Sequence, residues 1–472
     1  MKFSTKLSYG VGQFSDGVKQ AAFNTFLFFY YNQILGLSAS LAGLAALVAL
    51  VVDAVSDPMV GQWSDRIRTR FGRRHPFMLA GIVPFAITMY LLFAPPAGLS
   101  ETTLFFWMVG FAVLVRIALT LFFVPHLSLG AELASGYHER TSLIGYRVFF
   151  TYFGILAISV IGFVVFFPNT ETFPNGLMNA DSYPAFGLFC AVVGALAMLV
   201  STLGTMKSIP TLATTTANDS VKKRGAIFAI ADVFTALKQK AFRVVFTSSL
   251  YFNSLAGLIQ TLTIYIATYI FGFSPETLGI LALALVVAII FASNIAQFTS
   301  KRMDKRAAAS LCVVIGACIA VIPTCFYLLG WLQPMAEGSK ILFVFLANGI
   351  SQAFFIAFVI LVDSMLTDSI DQHYLDTGKR EEGLFFAARA FATKASYGIG
   401  AFLAGIALEI IAFPKEAAPQ DVPAEAVWNL ALFAGPGCLV LFAATMLFIR
   451  RFPIDRIEHD RIMGEIERST DR

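Results

Sequence analysis

Apolar residues run along this chain in long blocks separated by short polar stretches. A helix needs about 20 mainly apolar residues to cross a bilayer. Twelve blocks of that size follow one another, near 8–34, 41–64, 76–95, 102–131, 142–167, 184–207, 243–271, 276–299, 308–332, 341–367, 382–412 and 427–450. Connections as short as 35–40 and 272–275 force neighbouring helices to run antiparallel. The pattern predicts an all-α membrane protein of twelve transmembrane helices.

Composition sharpens the point. Of 472 residues, 57% are hydrophobic and 14% charged, against roughly 25% charged in soluble domains. With a mean hydropathy of +0.73, no soluble core could absorb this much apolar surface, so the lipid bilayer is the expected partner. Asp16 and Lys19 near the start of the first block are unlike a signal peptide. Cys190, Cys312, Cys318, Cys325 and Cys438 fall inside apolar runs without metal-type spacing and read as small buried hydrophobes.

The net charge is only +4, and its placement carries the information. Arg66, Arg68, Arg70, Arg73 and Arg74 follow the second block; Lys222, Lys223, Arg224, Lys238 and Lys240 lie in 208–242; Lys301, Arg302, Lys305 and Arg306 follow the eighth. The other side holds only Lys340 and Lys415. Basic loops mark the cytoplasmic side, so both termini are expected there, in the inner membrane if the source is bacterial. Orientation alone accounts for the basic residues, and no nucleic-acid partner is expected. The sequence has no nucleophile–base pair, metal cluster or phosphate-cradling Gly loop, so neither an enzyme nor a cofactor is expected.

The polar segment 208–242 divides the blocks into six and six. The expected units are a bundle over 1–207, a cytoplasmic middle loop over 208–242, a second bundle over 243–451 and a cytoplasmic tail over 452–472. An internal echo supports the division: Gly61–Arg66 (GQWSDR) recurs as Ala296–Lys301 (AQFTSK), at an offset of 297 − 62 = 235 residues. Duplicated six-helix halves are a transporter plan, with the binding site near the midplane between them.

The most informative residues lie in the second block. Asp53 and Asp57 are four apart and share a helix face. Counted back from Asp65 they lie 12 and 8 residues inside the span, roughly 18 and 12 Å at 1.5 Å per residue. An ionised Asp near the bilayer centre costs roughly 3 kcal/mol, which makes such a pair a functional feature by default. Two close carboxylates suit a cation, either Na⁺ with hard oxygen ligands or a shared H⁺. Ser56 can add a hydroxyl; the structural alternative is that both Asp residues hold helices together through salt bridges.

Other polar residues stand out in apolar surroundings. Arg116 lies inside the fourth block with Thr120 one turn on and His126 beyond Pro125, and Lys394 lies inside the eleventh beside Thr393. Arg389 shares a helix face with Glu382, which predicts a tether, and Asp16 and Lys19 can pair with each other. Asp363 and Asp368, near one end of the tenth block, are gate candidates through salt bridges to basic loop residues, as are Asp65 and Arg73.

With these pieces together the chain resembles the glycoside–pentoside–hexuronide:cation symporter family of the major facilitator superfamily. The resemblance rests on Lys6–Gly10, on Asp53–Pro58 with the basic loop after it, on Val124-Pro125 with Glu139, Arg140 and Arg147, and on Thr377–Glu381 ahead of Lys394. It implies twelve helices, alternating access, and cation-coupled symport, driven by Na⁺ or H⁺, of a sugar, glycoside or uronide. It implies that Asp53 and Asp57 bind the coupling ion, with Ser56 and Thr120 at matching positions, and that Arg147 and Lys394 lie near the sugar. The pattern also departs from the family's. Its sugar-binding Asp in the fourth span falls on Phe123, a nearby Trp on Leu127, and its Lys-Asp pair in the first span on Asp16 and Gly17. The substrate candidates are therefore Asp16, Arg116, Arg147 and Lys394, and their basic members admit an anionic sugar. The lost carboxylates and the 48 Phe residues leave an alternative on the same fold, a lysophospholipid or other amphipathic solute. The chain is expected to act as a monomer.

Overall fold

The computed structural model describes residues 2–67, 69–134, 137–207, 236–379 and 381–470. Arg68, Lys222, Lys223, Arg224, Arg380 and most of the middle loop lie outside the described residues. The described chain is almost wholly helical. Among the described residues, eleven helices are long and apolar enough to cross a membrane: α2 (Ala39–Arg66), α3 (His75–Leu92), α4 (Glu101–Leu133), α5 (Glu139–Phe166), α6 (Ser182–Met206), α7 (Lys240–Ile270), α8 (Pro275–Arg302), α9 (Lys305–Leu328), α10 (Glu337–Thr377), α11 (Glu382–Ile410) and α12 (Ala424–Ile449).

The first expected span, α1, is broken instead of continuous. It comprises Phe3–Val11, Phe14–Ala21 and two π-helical stretches, Ala22–Leu27 and Tyr30–Ile34, so no single piece reaches full crossing length. The break has a packing cause. A Cβ on Gly12 would stand 2.6 Å from Ser201 Oγ and 2.9 Å from His126 Nε2, so the neighbouring helices press directly on the backbone there.

Two elements differ from expectation. Helix α10 runs 41 residues, ten past its expected end, and stops where Gly378 takes φ +69°, a left-handed turn open to glycine. The expected tail, 452–472, contains a further helix, α13 (Arg456–Thr470).

The abundance of Phe is largely explained by packing. In the first half Phe26 meets Phe163, Phe167 and Phe186 with ring centroids 4.7–5.5 Å apart, tying α1 to α5 and α6. Phe93 and Tyr183 extend the same buried cluster. In the second half Phe252 packs on Phe355 and Phe358.

The halves meet most closely along α2 and α11, where small residues bring backbones together. A Cβ on Gly405 would stand 2.1 Å from the Ala39 carbonyl oxygen, and one on Gly43 would stand 2.7 Å from that of Ala401. At the face opposite the termini, polar contacts reinforce this seam. Tyr265 donates to Asn32 Oδ1 (2.6 Å), Tyr269 to Gln33 Oε1 (3.1 Å) and Gln33 to the Pro414 carbonyl (3.0 Å). The Ser40 amide donates to Glu409 (3.0 Å), and Lys415 pairs with Glu101 (3.0 Å). The far face is stapled shut by these bonds between the halves.

Candidate functional site

At the depth where the α2–α11 seam ends, α2 turns Asp53 and Asp57 toward α4 and α11. Thr120, on α4, lies with its hydroxyl 3.2 Å from Asp53 Oδ1 and 2.9 Å from Asp57 Oδ1. A hydroxyl has one proton, so it donates to one carboxylate at a time. One turn earlier Arg116 donates from Nη1 to Asp53 Oδ2 at 3.3 Å and lies 5.1 Å from the centroid of the Phe23 ring. From the other half, the Lys394 ammonium stands 2.9 Å from Asp53 Oδ2 and also bonds Asp57 Oδ2. Asp53 and Arg116 are buried, while Asp57 and Lys394 keep partial exposure.

The chemistry of the arrangement is plain. A single monovalent positive charge, the ammonium, sits where the two carboxylates converge. The same oxygens, with the Thr120 hydroxyl, are hard ligands that fit Na⁺, and either carboxylate can take a proton. Among the described residues no group of three or more His, Cys, Asp or Glu gathers as a metal centre of the transition-metal kind.

The remaining predicted residues fall in several places. Ser56 turns its hydroxyl back to the Asp53 carbonyl at 3.2 Å, away from the carboxylates. Asp16 pairs with Lys19 at 3.0 Å and accepts from Gln20 at 2.7 Å, and both members of the pair lie within electrostatic reach of Arg116 and Asp53. Arg147 faces the Tyr9 hydroxyl near the terminal end of α1. His126 is taken up by packing: its ring stacks on Tyr9 at 4.3 Å and bonds Gln13 and the Tyr9 carbonyl.

The gate candidates also regroup. Asp65 pairs with Arg74 at 2.6 Å. Arg74 is the buried arginine and also bonds Glu132 (2.9 Å) and Ser64 (2.7 Å), while Arg73 reaches Glu132 at 2.8 Å. This cluster joins α2, the basic loop and α4 within the first half. In the second half Asp368 receives Lys305 on both oxygens at 2.7 Å, with His459 of the tail helix at 3.6 Å. Asp363 pairs with Arg389 of α11 at 3.3 Å, not with a loop residue, and Arg389 also reaches Thr393 where a tether to Glu382 was expected. Glu132 and the Asn32–Gln33 staple escaped the sequence reading. Each is a polar residue near the end of an apolar block, where sequence alone cannot separate a solvated end from a buried contact.

Comparison with known proteins places this geometry. The family model described as MFS/sugar transport protein matches residues 8–456. The isoprimeverose transporter of Lactiplantibacillus pentosus is 25% identical, covering 98% of this chain and 91% of its own length. A putative glycoside/cation symporter of Escherichia coli is 24% identical, covering 95% of this chain and 91% of its own. Among solved structures, a D-xylose-proton symporter superposes with a TM-score of 0.62 at 13% identity, covering 93% of this chain and 97% of that one, which speaks to the fold alone. The match over nearly the whole length settles the family: the chain belongs to the MFS/sugar transport proteins.

Proposed function

We propose that this chain is a cation-coupled symporter that carries a sugar or glycoside across the membrane by alternating access. One observation supports the reading above all. Lys394, from the second half, occupies the meeting point of Asp53 and Asp57, from the first. In the empty protein the ammonium balances the carboxylates and ties the halves together at the midplane. The coupling ion, Na⁺ or H⁺, takes the carboxylate oxygens with Thr120 and frees Lys394 from them. Sugar binding between the halves then stabilises the ion-loaded arrangement, and the two ligands raise each other's affinity. Rocking of one half against the other exposes the site alternately to the two sides. Asp65, Arg73, Asp363 and Asp368 act in the gate through the ion pairs of their own halves.

Asp53, Asp57, Thr120 and Lys394 belong to one chain, so the proposed coupling step needs no second copy. It needs no cofactor beyond the coupling ion. The basic loops favour cytoplasmic termini, in the inner membrane if the source is bacterial. Relatives named for their cargo carry isoprimeverose, lactose and raffinose, which favours a sugar over an amphipathic lipid. Purified protein in liposomes tests the reading. Labelled glycosides should accumulate above equilibrium under an inward Na⁺ or H⁺ gradient. Uptake that only equilibrates, whatever the gradient, would contradict it.

A further inference from the structure

A cavity of about 520 Å³ lies on the second half, away from the ion cluster. It is a trough lined by Arg306, Ala307, Ser310, Leu311 and Val314 of α9 and by Arg450 just past α12. Ala307 and Ser310 are small, which leaves the hollow. Leu311 and Val314 are 37% and 38% exposed on an apolar span, so their side chains face lipid. Arg306 and Val314 are eight residues apart, roughly 12 Å along the helix. The trough therefore runs from the basic boundary of the membrane into its apolar interior.

The boundary end is cationic. The Arg450 side chain has no hydrogen bond or ion pair among the described residues. Arg306 is held loosely: Nη1 donates to the Phe452 carbonyl at 3.5 Å, and Nη2 stands 3.8 Å from both Asp304 and Asp455. Lys305 is taken by Asp368. Over the rest of 300–306 and 450–456, six cations (Lys301, Arg302, Arg306, Arg450, Arg451 and Arg456) stand against two carboxylates, Asp304 and Asp455.

Two guanidiniums above an apolar wall match one ligand chemistry, a phosphate joined to hydrocarbon. The planar fork of arginine suits phosphate oxygens. Basic pockets between transmembrane helices on the cytoplasmic side, where this end is expected, take acidic lipid headgroups. Free phosphate would gain nothing from Leu311 and Val314. A zwitterionic headgroup would bring its own ammonium to a place already rich in positive charge.

We propose that this trough binds one anionic phospholipid, with its phosphate between Arg306 and Arg450 and an acyl chain against Leu311 and Val314. Because Arg306 also reaches Phe452 and Asp455, the lipid steadies the start of the tail against α9. The proposal stands apart from the symport reading, since no lining residue belongs to the ion cluster.

The experiment uses the full chain, purified in detergent and stripped of lipid. It is titrated with phosphatidylglycerol or phosphatidylethanolamine of the same palmitoyl-oleoyl chains, and native mass spectrometry counts the bound lipids. One phosphatidylglycerol should stay bound at collision energies that strip further lipids, at least tenfold tighter than phosphatidylethanolamine. Arg450→Gln, which has no polar partner to lose, should weaken that binding at least threefold. Arg306→Gln combined with Arg450→Gln should weaken it at least tenfold while the lipid-free protein melts as the parent does. A hundredfold excess of inorganic phosphate should change the binding less than twofold. Equal retention of the two lipids, displacement by phosphate, or no bound phosphatidylglycerol in the parent overturns the proposal. Parental affinity in the double variant overturns it too; should that variant melt early, parental affinity in Arg450→Gln alone does so.

Discussion

Replacing Asp57 by Asn tests the carboxylate pair with little change in shape. Asp57 accepts from Thr120 and from Lys394, and its side chain is 25% exposed. A monovalent ion about 4 Å from a carboxylate gains roughly 4 kcal/mol at an effective dielectric of about 20. Asn leaves a carbonyl dipole in the same place and the site is partly wet, so about half of that is forfeited. About 2 kcal/mol corresponds to roughly thirty-fold in ion affinity. Lys394 still holds Asp53 at 2.9 Å, so the fold should survive with a melting temperature close to that of the parent. In liposomes with an imposed ion gradient, Asp57→Asn should lose concentrative uptake at ordinary ion concentrations. Uptake by Asp57→Asn with the parent's ion dependence would remove this carboxylate from the coupling site and refute the reasoning.

Three further outcomes follow from the same geometry. Lys394→Gln leaves Asp53 and Asp57 without their ammonium and should cost about 2–3 kcal/mol, somewhat under a fully buried pair, with more of the loss recovered by NaCl or by acid than in the parent; an identical response in thermal melts would contradict the assignment. Gly405→Val drives a side chain into the Ala39 backbone, where no flexible group can yield, and should cut uptake at least tenfold by loosening the α2–α11 seam; uptake at the parental rate would show that the seam tolerates separation. Asp368→Asn takes the charge from a site that holds Lys305 and faces His459, so the tail helix should be trimmed faster by trypsin at Arg461; unchanged protection would mean that other contacts, such as Arg306–Asp455, hold it.

Much of this was legible in the chain because a bilayer imposes strong rules. Apolar block length located ten of the eleven spans within a few residues and missed ten residues at the end of α10, and the four-residue spacing of Asp53 and Asp57 placed both on one face. The first span was harder, since its break at Gly12 lies against neighbours such as Ser201 and His126 that are distant in sequence. Lys394 was recognised as misplaced in apolar surroundings, but its partners lie more than 330 residues away and no local pattern names them. Arg147 was singled out by resemblance, and no local pattern announced its contact with Tyr9. Arg74, not Arg73, turns inward because the loop geometry decides which of two adjacent arginines faces Asp65 and Glu132. Helical periodicity gives faces; it does not give the partner opposite.

The Lys394 position also gives alternating access a concrete form. The far face is held by uncharged and exposed polar contacts, whereas the midplane is held by a charge that a ligand can displace. Ion binding therefore acts on the contact that joins the halves at the site itself.

Direct ion binding is the measurement closest to the central claim. Purified protein should bind one radioactive sodium ion per chain, or take up one proton in an unbuffered titration, and the paired substitution of Asp53→Asn and Asp57→Asn should abolish it. Undiminished binding by that double variant, or none by the parent, would contradict the account.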